Sequence, residues 1–194
     1  MAARPLPRSF YLRDSAVVAP ELLNKVIVVG ACRARIVEVE AYGGEADPAS
    51  HAYRGETVRT RPMFGPGGHL YVYFSYGMHW CANVVTGQVG IGQAALLRAV
   101  EPLAGIDEMR ARRPAARRDR DLTNGPGKLT AALGIGRHDN GADLAAAGHL
   151  GRVRLIDDGT APPTTPSNGP RIGLSKAVET PWRFWVTGNP FVSR

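Results

Sequence analysis

The chain has 194 residues, a net charge of +7 and an apolar fraction of 44%. That length suits one domain with a core of its own, and the apolar content excludes a disordered chain. An excess of Lys and Arg fits a polyanionic partner, because neutralising phosphates releases condensed counterions.

Residues 1–8 read as a loose basic tail, which leaves a single domain over 9–194. Helical character is expected from Ser9 to Leu23. A strand pair follows, Lys25–Val29 and Ala34–Tyr42, the second ending at Gly43-Gly44. The polar, Arg-rich stretch Glu45–Gly68 reads as a long loop, and long loops in compact domains are either functional or disordered. Leu70–Ser75 and Met78–Val85 are strands separated by Tyr76-Gly77, a hairpin signal. Ala94–Val100 is another apolar run, after which Pro102 is expected to open a helix through about Arg112. The charge run Arg110–Asp121 reads as a solvated helix end and loop.

Gly125-Pro126-Gly127-Lys128 leads into a short apolar helix ending near Gly134. A turn and another short helix are expected in Asp139–Leu150, a strand at Val153–Asp157, a surface loop at Gly159–Pro170 and a closing strand at Arg183–Val186. Antiparallel hairpins mixed with short helices, without a βαβ rhythm, give the α+β class.

Three patterns carry chemistry. In RIVEVEAY (35–42), Glu38, Glu40 and Tyr42 share one face of a strand, so the two carboxylates either face solvent or line a cleft. In LYVYFSYGMHWCAN (70–83), Tyr71, Tyr73 and Ser75 share one face, while Leu70, Val72 and Phe74 share the other. Tyr76 falls at the turn, where an aromatic ring gains no burial within its own domain. A phenol at a hairpin tip of a basic protein suits a wedge between stacked bases. In the loop after the glutamates, Arg54, Thr57, Arg59 and Arg61 suit phosphate contacts, and the Gly125–Lys128 turn offers free N–H groups at a helix start with a lysine beside them.

The histidines (His51, His69, His79, His138, His149) show no metal-ligand spacing, and no P-loop or dinucleotide fingerprint occurs, so neither a metal nor a nucleotide cofactor is expected. Cys32 and Cys81 form no CxxC pair and read as reduced thiols. No apolar run approaches a membrane span, and MAARPLPRSF lacks a signal-peptide core, so a cytoplasmic protein is expected, nucleoid-associated if bacterial.

Several blocks resemble the alkyladenine (3-methyladenine, or methylpurine) DNA glycosylase family. They are VEVEAYGGEADPASHAYRG (37–55), TVRTRPMFGPGGHLYVYFSYGMHWCANVV (57–85), ALLRAVEPLAG (95–105), DLTNGPGKLTAALGI (121–135) and RIGLSKAVETPWRFWVTGNPFVSR (171–194). The resemblance implies one α+β domain with a curved antiparallel sheet, short helices and a protruding, DNA-inserting hairpin. It implies a monofunctional glycosylase of base excision repair, acting as a monomer on double-stranded DNA. Its substrates would be alkylated or deaminated purines: 3-methyladenine and 7-methylguanine, with hypoxanthine and ethenoadenine as further candidates. By the same resemblance, Glu40 is the general base and Arg98 holds Glu40 and the attacking water. The extruded purine stacks between Tyr73 and the pair Tyr42 and His51, and Asn83 abuts its edge. Tyr76 and Met78 form the wedge, and Thr57, Arg59, Arg61 and Lys128 meet the DNA backbone. Two positions depart from the family pattern, Val58 and Gly67, each where a proline is common, and a looser DNA-facing loop is expected from both.

Three other readings compete on the residues alone: a non-catalytic minor-groove wedge, a glycoside hydrolase pairing Glu38 with Glu40, and an RNA-binding module. The first leaves the glutamate face unexplained, and the charge fits the second poorly.

Overall fold

The computed structural model describes residues 3–145 and 151–193. Its strands are β1 (Arg4–Pro5), β2 (Val26–Val29), β3 (Cys32–Tyr42), β4 (Leu70–Ser75), β5 (His79–Thr86), β6 (Gln93–Ala104), β7 (Val153–Asp157), β8 (Ser167–Gly169) and β9 (Arg183–Trp185). The helices are short: α1 (Arg8–Tyr11), α2 (Ser15–Leu22), α3 (Ile106–Arg112), α4 (Asp119–Thr123) and α5 (Pro126–Leu133). The described strands join one curled antiparallel sheet in the order β1-β7-β2-β3-β6-β5-β4, within a single α+β domain.

β3 organises this sheet. One edge pairs throughout with β6. The other edge is shared: Cys32–Arg35 pair with β2 and Glu38–Glu40 pair with β9. Three irregularities break the β3–β6 ladder, and two of them compensate, where Val37 on β3 and then Arg98 on β6 have no opposite number. Bulges of this kind bend a strand and re-aim a side chain. Here Arg98 is left pointing across at Glu38 and Glu40.

Apolar side chains of α2 (Val18, Leu22), α5 (Leu129, Leu133) and the sheet (Ile36, Val39, Leu97) make the main core. A second cluster forms under the long loop, where Ala52, Met63 and Phe64 bury against Tyr71, Val85 and Ala94. This loop is therefore anchored by its own apolar residues, with tight turns at Gly44–Ala46 and Arg61–Phe64.

Several expectations need correcting. From Arg4 onward the N-terminus is docked, not a loose tail: β1 pairs with β7, Leu6 is buried and Arg8 Nη2 donates to both carboxylate oxygens of Asp143 at 2.7 Å. The expected helix Ser9–Leu23 is two helices, because the Asp14 carboxylate caps α2 by accepting the Ala16 N–H. Pro102 opens no helix. It lies in β6 opposite Ala34, beyond the last β5 partner at Leu96, where a strand edge can do without an N–H. Gly105, with φ of +72°, is the true start of α3. Ser167–Gly169 inside the expected loop Gly159–Pro170 forms a strand on β9.

Gly67 does not lie in an exposed loop. A Cβ there would stand 2.6 Å from the Tyr11 carbonyl oxygen, so close backbone approach requires glycine. Val58, by contrast, is 85% exposed. His149 and most of the helix expected before Leu150 fall outside the described residues.

Candidate active site

β3, β4, β5 and the long loop enclose a cavity of about 520 Å³, within the range of small-molecule sites. Glu40, Tyr42, His51, Arg59, Tyr71, Tyr73, Cys81, Asn83, Arg98 and Ile172 are among its walls. Tyr73 and Asn83 come from the facing strands of the hairpin, and Glu40 and Arg98 from the centre of the sheet. Side-chain alternation explains the selection. Tyr71, Tyr73 and Ser75 reach the cavity, whereas Leu70 and Val72 enter the main core; Phe74, beside the turn, breaks the alternation and also lines the cavity.

Both glutamates of β3 are fully buried, so neither faces solvent. Their surroundings differ. Glu38 accepts from Arg98 Nε at 3.0 Å, Arg183 Nε at 2.7 Å, the Ser193 N–H at 2.6 Å and the Ser193 hydroxyl at 2.8 Å. It does not line the cavity. Glu40 does, and it accepts from the Ile172 N–H (2.7 Å) and the Tyr42 hydroxyl (2.9 Å), with Arg98 Nη1 at 3.1 Å. Only one of the two carboxylates lines the cavity, which removes the geometric basis of the paired-carboxylate glycosidase reading. Two glutamates and two arginines balance in charge. Although burial opposes a charged Arg98, Glu40 and Glu38 hold its guanidinium above the ordinary arginine value. Burial first, and then the Glu40 charge, push the Tyr42 phenol up, so it remains a donor to Glu40.

The aromatic walls are in mutual contact. Tyr71 and Tyr73 stack at 5.6 Å, and His51 meets Tyr73 edge-on at 4.5 Å between ring centres. A base sandwiched between two rings needs them roughly 7 Å apart, twice a van der Waals separation. His51 and Tyr73 must therefore separate before a ring can lie between them. The Arg59 guanidinium sits 5.6 Å from the Tyr73 ring centre, at the cavity wall. Burial, and secondarily the Arg59 charge, lower the His51 pKa. Asn83 is buried and donates to the Tyr71 carbonyl at 3.2 Å.

Tyr76 and Gly77 both adopt positive φ (+50° and +65°), and the Met78 N–H closes the turn on the Ser75 carbonyl at 3.2 Å. A tyrosine in the left-handed region is strained, and this one is also 83% exposed, with Met78 at 67%. Met78 belongs to the turn and β5 starts at His79. Phe74 packs on Trp80 at 4.8 Å and α5 braces the hairpin, since the Thr130 hydroxyl donates to the Trp80 carbonyl at 2.7 Å.

The remaining expected contacts are dispersed over the exposed surface. Arg61 pairs with Glu56 at 3.3 Å, the Thr57 hydroxyl is engaged with Thr60 at 2.9 Å, and Lys128 donates to Asn124 at 2.8 Å. Three residues of the site carry no signal in composition or periodicity: Arg171, Arg183 and Ser193. They arrive from distant, irregular segments and acquire meaning only through long-range pairing. Among the described residues no three His, Cys, Asp or Glu side chains are grouped to hold a metal ion. No described helix is long and apolar enough to cross a membrane.

A family model described as methylpurine-DNA glycosylase matches residues 9–190. A Burkholderia lata protein named "Putative 3-methyladenine DNA glycosylase" is 55% identical over 97% of this chain and 90% of its own length. Proteins of the same name from Agrobacterium fabrum and Streptomyces avermitilis are 49% and 46% identical. Each match spans 97% of this chain and 92% or 91% of the relative. A single α+β domain with this cavity, matched end to end in this way, is a DNA glycosylase, a hydrolase of N-glycosyl bonds that serves DNA repair. The chain belongs to the methylpurine-DNA glycosylase family.

Proposed function

We propose that this chain is a monofunctional enzyme, active as a monomer, that extrudes a damaged purine from duplex DNA and hydrolyses its bond to deoxyribose. The observation that carries this reading is Glu40: one fully buried carboxylate on the cavity, held by Arg98, Tyr42 and the Ile172 amide. Water attacks C1′ and gives its proton to Glu40. The N-glycosyl bond breaks with its electron pair on the purine, and an abasic deoxyribose remains. Arg98 keeps Glu40 oriented and ionised, and the carboxylate charge also favours the oxocarbenium-like transition state.

Alkylation at N3 or N7 makes the purine a cation whose departure needs no further proton. The preferred substrates are therefore 3-methyladenine and 7-methylguanine. Hypoxanthine and ethenoadenine, which leave as neutral bases only after protonation, follow at lower rates. The extruded ring lies against Tyr73 and Tyr42 after His51 swings off Tyr73, and base stacking of this kind contributes about 1–3 kcal/mol. Asn83 meets the purine edge. Tyr76 and Met78 fill the gap in the duplex, and Thr57, Arg59, Arg61 and Lys128 hold backbone phosphates.

The test is incubation with alkylated duplex DNA, and separately with a duplex carrying one hypoxanthine, in EDTA. Free methylpurine with an alkali-labile site in the DNA is the expected result, with slower hypoxanthine release. Strand cleavage without alkali would overturn the monofunctional assignment, and salt-sensitive binding with no base release would overturn the catalytic one.

A further inference from the structure

Arg171 follows the Pro-rich segment before it and carries none of the roles assigned above, yet its side chain is fully buried beside the cavity wall. Its Nη1 donates to the Ala41 carbonyl, between Glu40 and Tyr42 in the strand, at 2.9 Å. Both Nη atoms grip Asp47, Nη2 at 2.9 Å. The flat guanidinium lies 4.7 Å from the centre of the Tyr42 ring and 5.4 Å from that of Trp182. The amide of the next residue, Ile172, is the one that donates to Glu40. Asp47 in turn accepts the N–H groups of Gly43 and Ala49 at 3.1 Å each, which fixes the turn leading to His51.

As a contributor to stability alone this arrangement is a poor choice. A buried ion pair is often matched or bettered by apolar residues of similar volume, and Nε of Arg171 is buried with no partner among the described residues. Burial works against the Asp47 charge, and Arg171 with the two amides holds that carboxyl below its ordinary range nonetheless. What the guanidinium does supply is geometry, because a rigid fork with a flat face can fix a backbone carbonyl, a carboxylate and an aromatic ring together. We propose that Arg171 is a positioning residue, which holds the Glu40 carboxylate and the Tyr42 ring in the alignment that hydrolysis of the flipped nucleotide requires. This rests on the reading of Glu40 as the general base.

The test compares Arg171→Met, Arg171→Lys and Glu40→Gln with the unaltered protein, using alkylated duplex DNA and enzyme in excess. The single-turnover rate constant at saturation is normalised to the active fraction and set beside the thermal midpoint. A residue needed only for folding would lower the active fraction and leave that constant where it was. A positioning residue lowers the constant itself, since misplacement by about 1 Å can cost ~10²-fold. The expectation is a 10- to 100-fold loss for Arg171→Met, little change in half-saturation, and an intermediate value for Arg171→Lys, which keeps the charge but not the flat face.

Wild-type constants in both variants, with Glu40→Gln inactive, would overturn the positioning role alone. A fully active Glu40→Gln would overturn the assignment of the base and this inference with it. Should Arg171→Met fail to fold, Arg171→Lys decides: a reduced constant supports the proposal and an unchanged one refutes it.

Discussion

Glu38 and Glu40 stand two residues apart on one strand, equally buried and tied to the same arginine, yet they live in different chemistry. Around Glu38 four donors converge, three on Oε1 and one on Oε2, from two arginines and both donors of Ser193. Around Glu40 the donors are fewer, and the carboxylate forms part of a cavity wall. A closed cluster of paired charges fixes chain segments in place. An open one leaves room for a substrate. The same residue type therefore sits in a closed cluster at one position and on a cavity wall at the other, and burial alone does not distinguish them.

The sharpest way to break this contrast is to neutralise each carboxylate without changing its shape. Glu40→Gln is expected to lower the single-turnover rate by about 10²–10⁴-fold, the usual contribution of a positioned acid or base, while lesion binding persists. Binding is read by mobility shift and excision by base release. Undiminished turnover would end the assignment of Glu40 as base. Glu38→Gln should show the opposite balance. It leaves half-buried Arg183 without its counter-charge and buried Arg98 with Glu40 alone, and breaking a buried pair typically costs about 3–5 kcal/mol. Denaturant unfolding should show a loss of that order, larger than for Glu40→Gln. If the two variants proved equally stable, the closed and open clusters would not differ as described.

A smaller effect is expected at the hairpin, whose tip leaves Tyr76 and Met78 exposed. Tyr76→Ala removes a ring that is 83% exposed and makes little packing within the protein. Thermal stability should hold, because alanine relieves little strain at positive φ and the exposed ring has little contact to lose. Excision from duplex DNA should fall roughly 10-fold, in line with ~1–3 kcal/mol for a stacking aromatic, and excision from a single strand should fall less. Equal losses on both substrates would refute the wedge.

The sequence made some of this contrast legible. Alternation along LYVYFSY placed Tyr71 and Tyr73 on one face and Leu70 and Val72 on the other, and the structure divides them that way. Alternation along VEVEAY placed Glu38 and Glu40 together but could not show that the face they share is covered. The cover comes from Ile172 and Ser193, more than 130 residues along the chain. Nor could local pattern foresee Pro102 inside a strand, since that depends on where β5 stops pairing. Arg171 was invisible for the same reason: its partners Ala41, Tyr42 and Asp47 are adjacent only after folding. Charge and turn chemistry are written locally, and the satisfaction of buried charge is not.

The smallest effect tests how the open site tunes a charge. His51 sits against Tyr73 and Tyr71, and its pKa is lowered first by burial and then by the nearby Arg59. As pH falls through the ordinary histidine value near ~6.5, the unfolded chain takes up a proton that folded His51 refuses. Its share of stability is thus intact above that pH and is lost as pH drops below it. On the proposed reading, a neutral imidazole at neutral pH would spare a cationic purine the repulsion of a second positive charge in the cavity. Arg59→Ala removes the weaker of the two causes and leaves burial in place. The NMR titration midpoint of the His51 ring should therefore move upward without regaining the value of a free histidine. An unchanged midpoint would mean that Arg59, although close to the Tyr73 ring, contributes no field at His51. A midpoint at the free value would mean that burial is not the larger cause and that the cavity is wetter than its walls imply.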